Sequence, residues 1–258
     1  MFRFLFPQDK EISKEVFKLA FPVIVSNLSR VLMSMVDVAM VGRLGAEALA
    51  ATGMGAMLLW GALSLVLGIR TAVQTLASRR LGQKLDHEAG TAFHNGLLMA
   101  TIYALPVSLA GWLWAKDIIP FFIQDSIATP LAVDYTSIIF LSLLFSAYSF
   151  IFQGFYTGVE KTKIHMSVTV TSNLINVYLN AGLIYGSEGI QRFFFETAPS
   201  FSFLSSLWGW TTFPALGVKG AAIATVIAST WMTLHYFSFL FSKQIKNRFA
   251  VFSLSTDK

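Results

Sequence analysis

Six stretches of mostly apolar residues, each long enough to cross a bilayer, divide this chain at about 16–41, 49–77, 93–115, 131–157, 164–187 and 217–242. A hydrocarbon core about 30 Å deep needs roughly 20 residues at 1.5 Å each. In lipid a backbone must satisfy its own N–H and C=O groups, and a helix does so within one segment. The pattern therefore predicts an all-α membrane protein with six transmembrane helices. Composition agrees, since 55% of the residues are hydrophobic and only 13% are charged.

The basic residues predict an orientation. Thirteen of the nineteen fall on one side, in residues 1–18, the second-to-third loop (Arg79, Arg80, Lys84), the fourth-to-fifth loop (Lys161, Lys163) and the tail. Only Arg43, Lys116, Arg192 and Lys219 fall on the other side, and Arg30 and Arg70 lie within spans. Both termini are thus expected in the cytoplasm, with the chain in the cell (inner) membrane. Residues 1–15 read as a cytoplasmic segment, 16–242 as the membrane lobe and 243–258 as a basic tail. Residues 188–216, rich in Phe and Trp, read as an interfacial loop on the outer face. The net charge of +5 follows from this topology, so no nucleic-acid partner is expected.

Enzyme chemistry finds no support in the residues. There is no cysteine, and the four histidines are scattered, so neither a thiolate nor an imidazole metal site is expected. No phosphate loop or nucleophile–base pair is visible, and no cofactor is expected.

The polar residues within the spans carry more information. Asp37 stands in the run VIVSNLSRVLMSMVDVAMVG, where a carboxylate costs on the order of 3 kcal/mol to insert. Helical spacing puts Ser26, Arg30, Met33, Ser34 and Asp37 on one face. Arg30 and Asp37 are two turns apart, about 10 Å along the axis, too far for direct contact in a straight helix. In the fifth span Thr169, Asn173, Asn176 and Asn180 step by four, three and four. Amides there serve either as ion ligands and partners for an acid, or as ordinary glue between helices at roughly 0.6–2 kcal/mol each. The two stripes together place the Asp37 carboxyl within about 8 Å of Asn176 or Asn180, a gap one bridging water can span. Arg70, Gln153 and Tyr156 are weaker candidates for the wall of the same cavity.

Four motifs then resemble the multidrug and toxic compound extrusion (MATE) transporters, especially their DNA-damage-inducible-protein-F-like branch. They are PVIVSNLSRVLMSMVDVAMVGRLGAEALAATG, GIRTAVQTLASRRLGQ, NLINVYLNAGLIYG and LGVKGAAIAT, in family order over nearly the whole chain. The resemblance implies an antiporter that exports organic cations or amphipathic compounds against H⁺ or Na⁺, with two six-helix lobes around a central cavity. The six spans here match the N-terminal lobe of that twelve-helix fold. Asp37 and Asn176 match the ion-coupling site. Asn180 stands where many members carry Asp, which favours H⁺ over Na⁺ as the coupling ion. Beyond membrane lipid and small substrates, the resemblance implies a second lobe, or another copy, as partner. The alternative reading is a non-transporting membrane scaffold or subunit, in which Asp37 and the amides only hold helices together.

Overall fold

The structure, a computed structural model, describes residues 10–197, 199–209 and 211–251. Residues 1–9 of the expected N-terminal segment, residues 252–258 of the expected tail, Ala198 and Trp210 lie outside the described residues. The helices are α1 (Lys10–Gly42), α2 (Ala46–Gly82), α3 (Asp86–Ile118), α4 (Ala128–Phe140), α5 (Ser142–Gly158), α6 (Thr162–Thr197), α7 (Val218–Leu240) and α8 (Lys243–Phe249). Short 3₁₀ segments cover Ile119–Phe121 and Pro199–Trp208. Among the described residues, α1, α2, α3 with its 3₁₀ extension, and α7 are long and apolar enough to cross a membrane, and α4 with α5 makes a fifth such span. α6, at 36 residues, has the length of a span and carries the polar stripe.

Three expected boundaries change. The span at 131–157 is two helices meeting at 45° rather than one. No proline or glycine stands at the joint. Instead two hydroxyls capture carbonyls there, Ser142 donating to Ile139 O at 2.6 Å and Ser108 of α3 to Phe140 O at 2.7 Å. Membrane helices break where side chains take over the freed backbone groups. The second change is at 188–216, where residues 188–197 continue α6 beyond a kink at Gly186, whose φ of +71° suits glycine. The kink frees carbonyls that the returning chain satisfies: Leu216 N–H donates to Leu183 O at 2.8 Å and Gly217 N–H to Ile184 O at 3.1 Å. Third, residues 10–15 belong to α1, and residues 243–249 form α8, with Ile245 and Phe249 buried in the lobe.

Packing follows from small residues and rings. In lipid the hydrophobic effect does not draw helices together, so close backbone approach must. A Cβ at Gly154 would sit 2.6 Å from Arg70 O, and one at Gly158 2.7 Å from Gln74 O, so only glycine lets α5 lie this close to α2. An aromatic cluster fills the neighbouring space. Phe93 and Phe155 centroids are 4.8 Å apart, and Phe249 of α8 meets Phe155 edge-on at 5.5 Å. Each such pair contributes about 0.5–1.5 kcal/mol beyond its buried area. Arg248 pairs with Asp86 at 2.8 Å, and His94 Nε2 bonds Val251 O at 2.6 Å. These contacts put α8 at the same end of the lobe as the α2–α3 turn.

α2 packs on α3, α4 and α5, whereas α1 leans chiefly on α6, and α7 joins the two groups. The gap between them is where the polar stripes meet.

Candidate functional site

That gap is a cavity of about 410 Å³ walled by α1, α2, α4, α5, α6 and α7. α1 contributes Arg30, Met33, Ser34 and Asp37, and α6 contributes Thr169, Asn173, Asn176 and Asn180. The two stripes face each other as helical spacing requires. Asn180 Nδ2 donates to Asp37 Oδ1 at 2.6 Å and to Asn176 Oδ1 at 2.8 Å. Asn180 Oδ1 is buried with no partner in this arrangement. Asn173 Nδ2 donates to Ser29 Oγ at 2.7 Å, and Tyr185 OH donates to Met40 O at 2.6 Å, so α6 holds α1 at three levels.

Three expected wall residues lie elsewhere. Gln153 is fully packed on α5, and its Nε2 donates to His165 Nε2 at 2.7 Å. Tyr156 is also buried, its hydroxyl donating to Tyr236 O at 3.0 Å. Arg70 sits at the close α2–α5 crossing, its backbone against Gly154. α5 is buried on most of its circumference, so spacing alone does not tell its cavity face from its packing face. Arg30 and Asp37 make no ion pair with each other.

The structure also adds a network that sequence reading missed. His165 is completely buried, its Nδ1 2.6 Å from Tyr236 OH and 3.2 Å from Thr169 Oγ1. One signal was available: His165 is one turn before Thr169 and extends the same stripe. Tyr135, Trp60 and Ser229 also line the wall, and nothing in their sequence surroundings singles them out.

A bundle of long apolar helices, with one carboxylate hydrogen-bonded to an amide on the wall of a cavity, defines a multi-pass helical membrane protein with a ligand-sized site. Comparison with known proteins narrows the class. The MatE family profile matches residues 22–181. The chain belongs to this family, whose members are transporters and not enzymes. Its sequence is 28% identical over 178 residues to the probable multidrug resistance protein NorM of Rhodopseudomonas palustris, covering 69% of this chain and 37% of that protein. Against the multidrug resistance protein NorM of Burkholderia vietnamiensis it is 24% identical over 217 residues, covering 84% and 42%. Among solved structures it superposes on a MOP superfamily transporter from Pyrococcus furiosus with a TM-score of 0.73 at 21% identity, covering 90% of this chain and 45% of that one. A eukaryotic MATE transporter, AtDTX14, gives 0.74 at 21% identity, covering 94% and 48%. The chain spans less than half the length of these relatives, and the likeness establishes the fold of one lobe.

Proposed function

We propose that this chain is one lobe of a proton-coupled antiporter that exports organic cations or amphipathic compounds, with Asp37, Asn176 and Asn180 as the coupling site. The observation that carries the reading is the Asn180–Asp37 hydrogen bond on the wall of a cavity large enough for a small organic compound. With Asp37 ionised, Asn180 gives its N–H groups to Asp37 and Asn176, leaving its own carbonyl unmatched. A proton on Asp37 turns that carboxyl into a donor. The Asn180 amide, presented the other way round, then accepts it with the orphaned Oδ1. Protonation thus exchanges donors for acceptors at one residue and removes the charge that would hold a cationic compound. One carboxylate cannot neutralise both ligands, so each weakens the other by the same factor. Sodium fits less well, because the site offers a single carboxylate and turns N–H groups, not oxygens, toward it.

The lobe sits in the cell (inner) membrane with both termini cytoplasmic, the α2–α3 turn and α8 sharing the basic end. A second lobe, or another copy of the chain, completes the cavity. The test is proton release driven by a cationic dye in proteoliposomes holding the chain with its completing lobe. Asp37→Asn is expected to abolish it. Exchange that survives the substitution would make the acid structural.

A further inference from the structure

Seven residues below Asp37, the same cavity changes sign. Arg30 lies on the wall, and Arg70 of α2 packs against Gly154, next to the Gln153 whose amide bonds His165, with repulsion between the two guanidiniums. Tyr236 and His165 are within electrostatic reach of both guanidiniums. Among the described residues neither arginine makes an ion pair, and Arg70 Nε is buried with no hydrogen-bond partner. α5 and α7, which pack around the cluster, contain no Asp or Glu at all. Asp37 is about 10 Å away along α1 and is held by Asn180.

Desolvated charges of like sign without a counter-ion are strongly unfavourable, and a bound anion is the usual remedy. Escape to the headgroups is closed to Arg30, which stands eleven residues, about 16 Å, inside the nearer end of the span at 16–41, beyond the reach of a snorkelling side chain. The Arg70 backbone is clamped against Gly154.

We infer that the Arg30–Arg70 end of the cavity binds an oxyanion group, a carboxylate, sulfonate or phosphate, carried by an amphiphilic compound or a lipid headgroup. Arg30 supplies the contact at the wall, since guanidinium and oxyanion match in shape and charge. Arg70, behind it, strengthens the local positive potential, and the Tyr236 hydroxyl is a further donor. This rests on the cavity being the ligand site, not on Asp37 coupling to protons.

The test uses delipidated chain in dodecyl maltoside and a matched series of 1-naphthylacetate, neutral 1-naphthylacetamide and cationic 1-naphthylmethylammonium, titrated by calorimetry. Naphthylacetate is expected to bind about tenfold more tightly than the amide, the scale of one charge-assisted contact. Arg30→Gln should erase that preference and Arg70→Gln reduce it. Arg30→Lys, which keeps the charge, and Asp37→Asn should both retain it. Equal affinity of acid and amide for the unmutated chain would overturn the inference, whether or not the variants fold. So would a preference that persists in a folded Arg30→Gln protein. Added phosphatidylglycerol separates the sources. Loss of naphthylacetate binding, with one lipid retained in native mass spectra of the unmutated chain only, identifies a headgroup ligand. Unchanged binding identifies a soluble amphiphile. Failure here leaves the Asp37 reading standing, and dye exchange that survives Asp37→Asn leaves this one standing.

Discussion

The Tyr185 hydroxyl donates to the carbonyl of Met40 across 2.6 Å, tying the end of α1 to α6 one residue before the Gly186 kink. Met40 is three residues beyond Asp37, so this bond fixes how far the acid projects toward Asn180. Tyr185→Phe removes the donor and leaves the ring. We expect a loss of about 0.6–1.7 kcal/mol, the range of hydrogen bonds between membrane helices. Thermal denaturation in detergent should show a lower midpoint, and the Asp37-dependent exchange should weaken without vanishing.

Restoring a second carboxylate changes the ion preference. Asn180→Asp places two acids on facing helices where the present chain has an acid and an amide. Sodium chloride should then raise the melting temperature of the variant more than choline chloride does. The unmutated chain should respond equally to both salts.

The α2–α5 crossing admits no side chain. Gly158→Val puts a Cβ close to Gln74 O and the Ala77 methyl. Such overpacking typically costs 1–3 kcal/mol. Here the obstacle is backbone that no rotamer change can clear, so the upper end, about 3 kcal/mol, is expected. A folded yield and melting temperature equal to those of the unmutated chain would contradict the crossing described here.

The orientation has a direct readout because the chain lacks cysteine. Lys84→Cys should react with an impermeant maleimide only from the cytoplasmic side, and Gln124→Cys only from outside. Position 124 is chosen over 125 because Asp125 Oδ1 accepts N–H bonds from Ile127 and Ala128 at 2.9 and 2.7 Å at the start of α4. Reaction of both from one side would remove the proposed topology.

Those same N–H groups hold the Asp125 carboxyl below the usual carboxylate range, the Ala128 bond contributing most. A depressed folded value means that the stabilisation is complete above the ordinary Asp value and is lost as pH falls through the lowered one. Asp125→Ala should therefore lower the melting temperature at neutral pH. Once the medium is acid enough to protonate the native carboxyl, variant and parent should converge.

How far the sequence reaches can be seen element by element. α1, α2, α3 and α7 announce themselves because lipid demands length and apolarity together. The facing of Asp37 and Asn180 was also readable, since a helical stripe of polar residues in an apolar run has to turn from lipid. The bend between α4 and α5 was not, because it is made by Ser108, a residue 32 positions away from the carbonyl it takes. Gln153 and Tyr156 were misplaced for a related reason: a helix buried all round offers no periodicity to read. Arg30 was expected to share a face with Asp37 on its own helix, two turns away, and both line the cavity. Its electrostatic neighbours Arg70, Tyr236 and His165 come from three other helices, and only tertiary structure brings them together.

The strap formed by α8 has a consequence for the order in which the lobe is made. Phe93 and Phe155 need Phe249 to close their cluster, and Gly90 lies under the Phe249 backbone. At 5–20 residues per second, Phe249 leaves the ribosome roughly 10–30 s after Phe93 does. For that interval the end of α3 and α5 that α8 covers is an open aromatic cleft. The lobe is sealed by a helix made after those it covers, and truncation before residue 243 would leave the cleft open for the lifetime of the protein.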